Sequence, residues 1–223
     1  ISEFVVFLDH DDVLEPDALQ TLTAALRAHQ EAVAAHGLAR YIDGQDRPCR
    51  LGEAEAWTRG RLGIENDELV SWPLDRPTTF AVEAVVNRLF TPGQAIIRRR
   101  ALERVGPLDA EVVPNDDYDL WLRLTARGDM AFVDTVVLGF RQHDRNTSRH
   151  AALMRRTEML LRRKLLTSDR FSPEQRHVAR LGARLWNRRL AALGLQWAKD
   201  SLAQRQWRSA AIQACRAARD YWN

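Results

Sequence analysis

Three aspartates that follow a short apolar run are the residues of this chain best suited to chemistry. Phe4 to Leu8 is a continuous apolar segment, typical of a strand buried on both faces, and Asp9, Asp11 and Asp12 come directly after it. Ligands of open α/β sheets bind at this end of a strand. A divalent cation that carries a phosphorylated group would balance the three carboxylates. The alternative, that the aspartates only cap the next helix, explains one aspartate better than three.

A second acidic pair opens a later predicted helix. Asp116 and Asp117 stand at the start of residues 116–127, where the helix dipole stabilises negative charge. A base that deprotonates a hydroxyl group also needs a carboxylate held in a pocket. By itself the pair favours helix capping over catalysis.

One histidine follows the last predicted strand of the first 150 residues. His143 ends the sequence Phe-Arg-Gln-His. A lone histidine is more often a surface or satisfied core residue than a ligand. At a strand end, however, it could reach a metal that carboxylates from another strand hold.

The elements that must position these residues alternate between helices and strands. The chain has 223 residues, 45% of them hydrophobic and 28% charged, which suits one globular domain with an appended helical piece. Periodicity predicts helices over 16–35, 80–89, 99–105 and 116–127. It predicts strands over 38–42, 94–97, 131–133 and 135–140. Residues 45–78 show no period, so we expect a long loop there with at most a short helix. Beyond residue 150 we expect long helices, with a capping box from Ser172 to Gln175 and a break near 204–207.

The charge of the chain is divided unevenly. Residues 1–150 hold 17 Lys+Arg and 25 Asp+Glu, a net charge of −8, whereas residues 151–223 hold 16 and 5, a net charge of +11. We therefore expect two structural units, 1–149 and 150–223. The basic unit either touches an acidic surface, such as anionic lipid or nucleic acid, or presents a solvated face against the acidic unit.

Cysteine content and hydropathy exclude several classes of protein. Cys49 and Cys215 lie far apart without metal-ligand spacing, so we expect neither a disulfide framework nor a zinc site. We expect the protein to work in a reducing compartment. No apolar run approaches the length of a membrane span.

Five short motifs, in their order and spacing, resemble those of the family 2 glycosyltransferases, which have the GT-A fold. They are Leu8 to Asp12, Thr91 to Arg99, Val105 to Asp109, Asp116 to Leu124, and Arg141 to His143. The resemblance covers about residues 4–148. It implies an α/β fold, with a partial GT-A (Rossmann-like) mixed sheet and flanking helices, followed by a C-terminal helical hairpin. It also implies inverting transfer of a sugar from a nucleotide-diphosphate sugar to the hydroxyl group of a glycan or other acceptor, in surface polysaccharide or glycan synthesis. No nucleic-acid partner is expected.

The resemblance assigns roles on the donor side. Asp9 and Asp11 match the Asp-x-Asp motif of the family. Asp11 would bind the Mg²⁺ or Mn²⁺ that bridges the donor diphosphate, and Asp9 would contact the ribose or the metal shell. Asp12 would be a supporting acid, and His143 a further metal or diphosphate contact.

The resemblance also assigns the catalytic and acceptor side. Asp117 matches the catalytic base. Asp116 stands where the family has a glutamate, and its side chain is one methylene shorter, which affects the acceptor contact. Trp121 resembles an acceptor-site or helix-packing residue, and Gly93 a small residue that leaves room for the acceptor.

In the family, strands that bind the nucleotide base precede the Asp-x-Asp strand, whereas this chain begins at that strand. We therefore expect a fragment of an active enzyme, truncated at its N-terminus and inactive by itself. The expected location is cytoplasmic, with peripheral attachment at the inner face of the membrane through the basic helices as an option.

Two rival interpretations remain. In a haloacid-dehalogenase-like phosphatase, Asp9 would be the nucleophile and Asp11 the acid, but the required lysine should precede Asp117, and Lys164 and Lys199 both follow it. Alternatively, the chain is a non-catalytic fragment whose helical tail binds a membrane surface or a partner. The tryptophans of that tail, Trp186, Trp197, Trp207 and Trp222, are more simply explained as a hairpin core.

Overall fold

A mixed sheet with helices on both faces forms the centre of the molecule. The computed structural model describes residues 2–206, 209 and 211–215. The strands are β1 (Phe4–Val5), β2 (Val13–Leu14), β3 (Ala34–Ile42), β4 (Leu62–Glu65), β5 (Glu68–Ser71), β6 (Ala95–Arg98) and β7 (Met130–Arg141). The helices are α1 (Ala18–Ala28), α2 (Glu53–Arg59), α3 (Phe80–Glu83), α4 (Arg99–Val105), α5 (Asp116–Thr125), α6 (Ala151–Thr167) and α7 (Pro173–Ala203).

The five-stranded sheet has the order β1-β6-β3-β7-β2. Its central pair, β3 and β7, is parallel, and its other neighbours pair antiparallel. Strands β4 and β5 form a separate antiparallel hairpin. The predicted α/β class, with a mixed sheet, is thereby confirmed.

Successive side chains of the central strands point to opposite faces, as the twofold repeat of a strand requires. Ala35, Ile96 and Ala131 pack under α1. Their chain neighbours Ala34, Ile97 and Met130 pack on the other face, under α4 and α5. Both faces are therefore buried, and the site lies where the loops of this sheet meet the start of α5.

The helices α6 and α7 pack against each other. The predicted hairpin has its turn near 204–207, and most of its second arm lies outside the described residues. Helices α6 and α7 are joined to the sheet unit by a shared core, in which Leu161, Leu165 and Phe171 contact Phe80 and Leu122. The predicted capping box is confirmed, because the Ser172 side chain accepts from the Gln175 amide and the reciprocal bond is present. None of the described helices is both long and apolar enough to cross a membrane.

Several predicted boundaries were wrong. The first strand is not buried on both faces, because β1 lies at the sheet edge with β6 as its neighbour and both its residues are only half-buried. Helix α1 ends at Ala28, and residues predicted to continue it enter β3. The predicted helix over 80–89 shortens to Phe80–Glu83, and the two strands over 131–140 are one strand.

The predicted long loop over 45–78 contains α2 and the β4–β5 hairpin. The break expected near 204–207 begins after Ala203, where α7 ends. Trp207 and Trp222 lie outside the described residues.

Candidate functional site

The two acidic groups line one cleft of about 1030 Å³. Asp9 and Asp11 enter it from the connection between β1 and β2, and Asp116 and Asp117 from the start of α5. The segment 143–148 lies along the cleft as well. Apolar side chains complete the lining: Phe7, Leu8, Phe90, Leu108, Phe140 and Met154. Residues a hundred positions apart therefore meet in one concave site of the size that small-molecule ligands occupy.

Asp11 is held by His143. The Nε2 atom of His143 lies 2.7 Å from Asp11 Oδ2, and its Nδ1 atom accepts from the Arg145 amide at 3.1 Å. Because Nδ1 is an acceptor, the proton of the neutral ring lies on Nε2, which donates to the carboxylate. Burial alone would raise the pKa of Asp11, but this hydrogen bond and a hydrogen bond from the backbone amide of Asp11 hold it below its usual value. Asp11 is therefore ionised at neutral pH.

Arg141 fixes the acidic loop from the opposite strand. Its Nε donates to the Asp11 carbonyl oxygen at 2.6 Å, and its Nη1 to the Asp43 carbonyl oxygen at 2.6 Å. Its backbone amide donates to Asp12 Oδ1 at 3.1 Å. Arg141 belongs to one of the five motifs, but the resemblance assigns it no role. An acidic loop requires a neighbouring positive charge, and an arginine at the end of a strand can supply it. The position of Arg141 at the end of a predicted strand was therefore the signal in the sequence for this role.

Asp12 and Asp9 have different environments. Asp12 is buried outside the cleft, and its Oδ2 has no hydrogen-bond partner among the described residues. Burial, with the charges of Asp11 and Asp9, raises the pKa of Asp12 to about 6. Asp9 is exposed in the cleft and accepts from the Thr91 hydroxyl at 3.1 Å. Asp12 thus positions the loop, and Asp9 is free to contact a ligand.

Asp117 has the protonation behaviour of a general base. Burial raises its pKa to about 7, and the charges of Asp116 and Asp9 act in the same direction. Its Oδ1 accepts from the Tyr118 amide at 2.6 Å, which lowers the pKa in part. Burial also raises the pKa of Asp116. A carboxylate that titrates near neutral pH, in a cleft, suits proton abstraction from a hydroxyl group.

Two asparagines without a predicted role support the site. The Asn146 side chain accepts from the His143 amide at 2.6 Å and donates to the Arg141 carbonyl oxygen at 2.9 Å. Asn115 donates to Thr157 Oγ1 at 2.8 Å, which joins the start of α5 to α6. Both line the cleft.

The structure does not place Trp121 or Gly93 on the acceptor side of the cleft. The Trp121 side chain is fully buried among Leu120, Leu124 and Ala34, so it is the helix-packing residue of the two alternatives. A Cβ atom at Gly93 would lie 2.5 Å from Leu138 Cδ1 and 3.0 Å from Leu8 Cδ1. Glycine is therefore required here by the packing of the chain itself.

The donor atoms fit a divalent metal shared with a substrate. No group of three or more His, Cys, Asp or Glu side chains within the described ranges could hold a metal by itself. Mg²⁺ is commonly bound by one or two carboxylates together with substrate phosphates, and ionised Asp11 offers such a ligand. A metal-bound histidine donates through its other ring nitrogen, but here Nδ1 accepts, so His143 orients Asp11 in this arrangement.

Comparisons with known proteins bear on the family and the fold of this chain. Residues 2–106 match the family model described as Glycosyl transferase family 2. No curated protein matches the chain.

Two solved structures of S. aureus TarS 1-349 are similar to this chain. The first has a TM-score of 0.51 and 15% sequence identity, and the match covers 97% of this chain and 56% of that one. TarS in complex with UDP matches with the same TM-score and identity, over 96% of this chain and 56% of that one. The chain thus spans little more than half of either TarS chain. The likeness confirms the predicted GT-A type of fold.

Proposed function

Residues 2–106 match the model of glycosyl transferase family 2, and from that likeness we propose that this chain moves a sugar from a nucleotide-diphosphate sugar to an acceptor hydroxyl group, with inversion at the anomeric carbon. The observation that carries the proposal is the common cleft of Asp9, Asp11, Asp116 and Asp117. The complex of TarS with UDP supports a nucleotide-linked donor.

Asp117 is the proposed base. Its carboxylate accepts the acceptor's hydroxyl proton as the hydroxyl oxygen attacks the anomeric carbon and the bond from that carbon to the diphosphate breaks. The raised pKa of Asp117, about 7, gives the carboxylate enough basicity while leaving much of it ionised at neutral pH. Asp116 lies beside it in the cleft and is the proposed acceptor contact.

The donor is held on the other side of the cleft. Asp11 would hold Mg²⁺ or Mn²⁺ together with the diphosphate, and Asp9 would contact the ribose or the metal shell. The bound metal supplies a Lewis acid for the charge of the leaving diphosphate. The hydrogen bond from His143 keeps the Asp11 carboxylate ionised. The bonds of Arg141 to the Asp11 carbonyl oxygen and to Asp12 hold the loop in place.

The phosphatase interpretation is not favoured. The Lys164 ammonium group pairs with Asp109 and Glu111, each at 2.6 Å, and so lies in a structural ion-pair network. Within the family, a role in surface polysaccharide or glycan synthesis is our proposal. We also propose a cytoplasmic location at the inner face of the membrane, where α6 and α7 contact the membrane surface.

The proposal is tested with Asp117→Asn in the full-length natural protein, by measuring release of nucleoside diphosphate from nucleotide sugars with Mn²⁺. We expect kcat to fall by about 10²- to 10⁴-fold, because the base is lost, while donor affinity is kept. Asp169→Asn, at an exposed position between α6 and α7, is the matched control. Unchanged turnover in Asp117→Asn would show that Asp117 is not the base. Turnover that survives chelation of the metal would show that the reaction needs no metal.

A further inference from the structure

The side of the cleft next to the proposed base is lined by apolar side chains that the reaction described above does not use. Four of them line the cleft together with the acidic pair of α5, and we call them the apolar wall: Leu108, Val113, Pro114 and Met154. Val113 is 48% exposed, and the other three are half-buried. Ligand sites are lined mainly by apolar side chains with a few polar groups, so this wall suits an apolar part of a ligand.

The segment that carries Val113 is fastened to α6. The Lys164 ammonium group pairs with Asp109 and Glu111, each at 2.6 Å. Val112 is fully buried in the core that the segment shares with α6. Its neighbour Val113 is left open to the cleft. The exposure of Val113 is therefore a property of a fixed segment, and the wall is present before a ligand binds.

Met154 is joined to the start of α5 through Asn115. The Nδ2 atom of Asn115 donates to the Met154 carbonyl oxygen at 3.2 Å and to Thr157 Oγ1 at 2.8 Å. Because Asn115 directly precedes Asp116, Met154 lies beside the acidic pair. The side chains of the apolar wall contain no nitrogen or oxygen atom. Hydroxyl groups of a sugar ring would lose water there without gaining hydrogen bonds, whereas a hydrocarbon chain needs none.

The wall continues into the first turn of α6, whose composition suits a membrane surface. Leu153 directly precedes Met154 and is 39% exposed. Arg155 and Arg156 follow Met154, and both are exposed. Apolar side chains beside exposed cations are typical of helices that lie on anionic lipid. The surroundings of the wall therefore favour a lipid chain over the apolar group of a fully water-soluble acceptor.

We propose that the acceptor is lipid-linked, and that its alkyl or isoprenoid chain packs on the apolar wall while its hydroxyl group lies at Asp117. This inference rests on the proposed function and deepens it, because it names the class of the acceptor. The hydroxyl oxygen forms the new bond to the anomeric carbon, the bond to the diphosphate breaks, and the proton passes to Asp117. Val113 and Met154 take no part in these bond changes and determine which acceptor binds.

The test measures binding of methyl, butyl and octyl β-D-glucoside to the full-length natural protein by calorimetry, with the octyl compound below its micelle concentration. Each methylene group that reaches the wall should tighten binding about two- to fourfold. Met154→Gln keeps the length of the side chain but adds an amide, and it should weaken octyl glucoside binding about tenfold. Val113→Thr, at an exposed position, should act in the same direction.

The matched control is Met159→Gln, the same change at a 63% exposed position of α6 that does not line the cleft. It should bind all three glucosides as wild type does. Equal affinity of wild type for the three glucosides overturns the inference, and so does an equal loss of octyl glucoside binding in Met154→Gln and Met159→Gln.

Turnover separates this inference from the proposed function. Where sugar is transferred, the octyl glycoside should have a lower KM than the methyl glycoside, and Met154→Gln should raise only the octyl KM. UDP affinity should be unchanged in Met154→Gln, and its loss would place the wall on the donor side and overturn the inference. If octyl glucoside binding depends on Met154 but no nucleotide sugar is turned over, the proposed function fails and the lipid-binding wall stands. If methyl and octyl glycosides accept sugar equally well, the lipid-linked acceptor is refuted.

Discussion

Asp117 and Asp116 are adjacent acids with different proposed tasks, and pH can separate them. The pKa of Asp117 is raised above its usual value, so the ionised base is lost as the pH falls through about 7. We expect kcat/KM to drop about tenfold per pH unit below that point. Asp116→Asn removes a neighbouring negative charge that raises this pKa, so the acidic decline should move to lower pH. A decline that stays in place in Asp116→Asn would show that another group titrates.

The acids of the site could be predicted from the sequence, but most of their partners could not. Three aspartates after an apolar run, and a pair at a helix start, are local patterns. Asn115 supports the site only because α6 packs beside the start of α5, and no spacing in the sequence encodes that contact. Likewise, the sequence cannot show which nitrogen of His143 carries the proton, since that depends on the Arg145 amide.

Trp121 shows a different limit. Helical spacing placed it one turn after Asp117, and the resemblance allowed either an acceptor contact or packing. Its burial is decided by α5 lying on the sheet, with Leu120 and Leu124 on the same core. The position of Trp121 in the folded chain, and not its residue type, decides between an acceptor contact and helix packing.

At the scale of elements, Gly93 marks a close approach between the loop before β6 and strand β7. Gly93→Ala would bring a methyl group against Leu138 and Leu8, and overpacking of this kind costs about 1–3 kcal/mol. Urea unfolding should therefore show a lower midpoint. Gly44→Ala is the control, since a Cβ atom there meets nothing within 4 Å. If Gly93→Ala instead keeps wild-type stability but binds the acceptor more weakly, Gly93 lies on the acceptor side of the cleft.

Elements with strong local signals were predicted well. Helix α4 has the predicted bounds, Arg99–Val105, and ends at Gly106, whose φ of 85° suits glycine. The α1–β3 boundary was missed because Ala34 and Ala35 favour helices, whereas their burial in the central strand overrides that preference. The β4–β5 hairpin was missed although Asn66 and Asp67 adopt positive φ, as a two-residue type I′ turn requires.

For the whole molecule, the first question is whether residues 150–223 can be removed. Leu161, Leu165 and Phe171 are buried against α3 and α5. At about 2 kcal/mol for each side chain, the lost burial is comparable with a typical total stability of about 5–15 kcal/mol. Residues 1–149 alone should therefore lack a cooperative unfolding transition by circular dichroism. A sharp transition in that piece would show that the two predicted units fold independently.

We predict that basic residues of the C-terminal unit bind an anionic surface. Arg180, Arg184 and Arg188 are exposed at four-residue spacing on α7, and none makes a salt bridge within the part of the chain that the structure describes. Each arginine near an anionic bilayer contributes about 1 kcal/mol, so replacing all three by glutamine should weaken binding about a hundredfold.

Co-sedimentation with vesicles that contain phosphatidylserine measures this binding, and the wild-type interaction should weaken as salt rises. A matched control replaces Arg145, Arg149 and Arg170, which are exposed and lie outside α7, with glutamine. If wild type does not bind, or if both triple variants lose binding equally, α7 is not the membrane contact. The +11 charge of residues 151–223 would then serve as a solvated surface beside the acidic first unit.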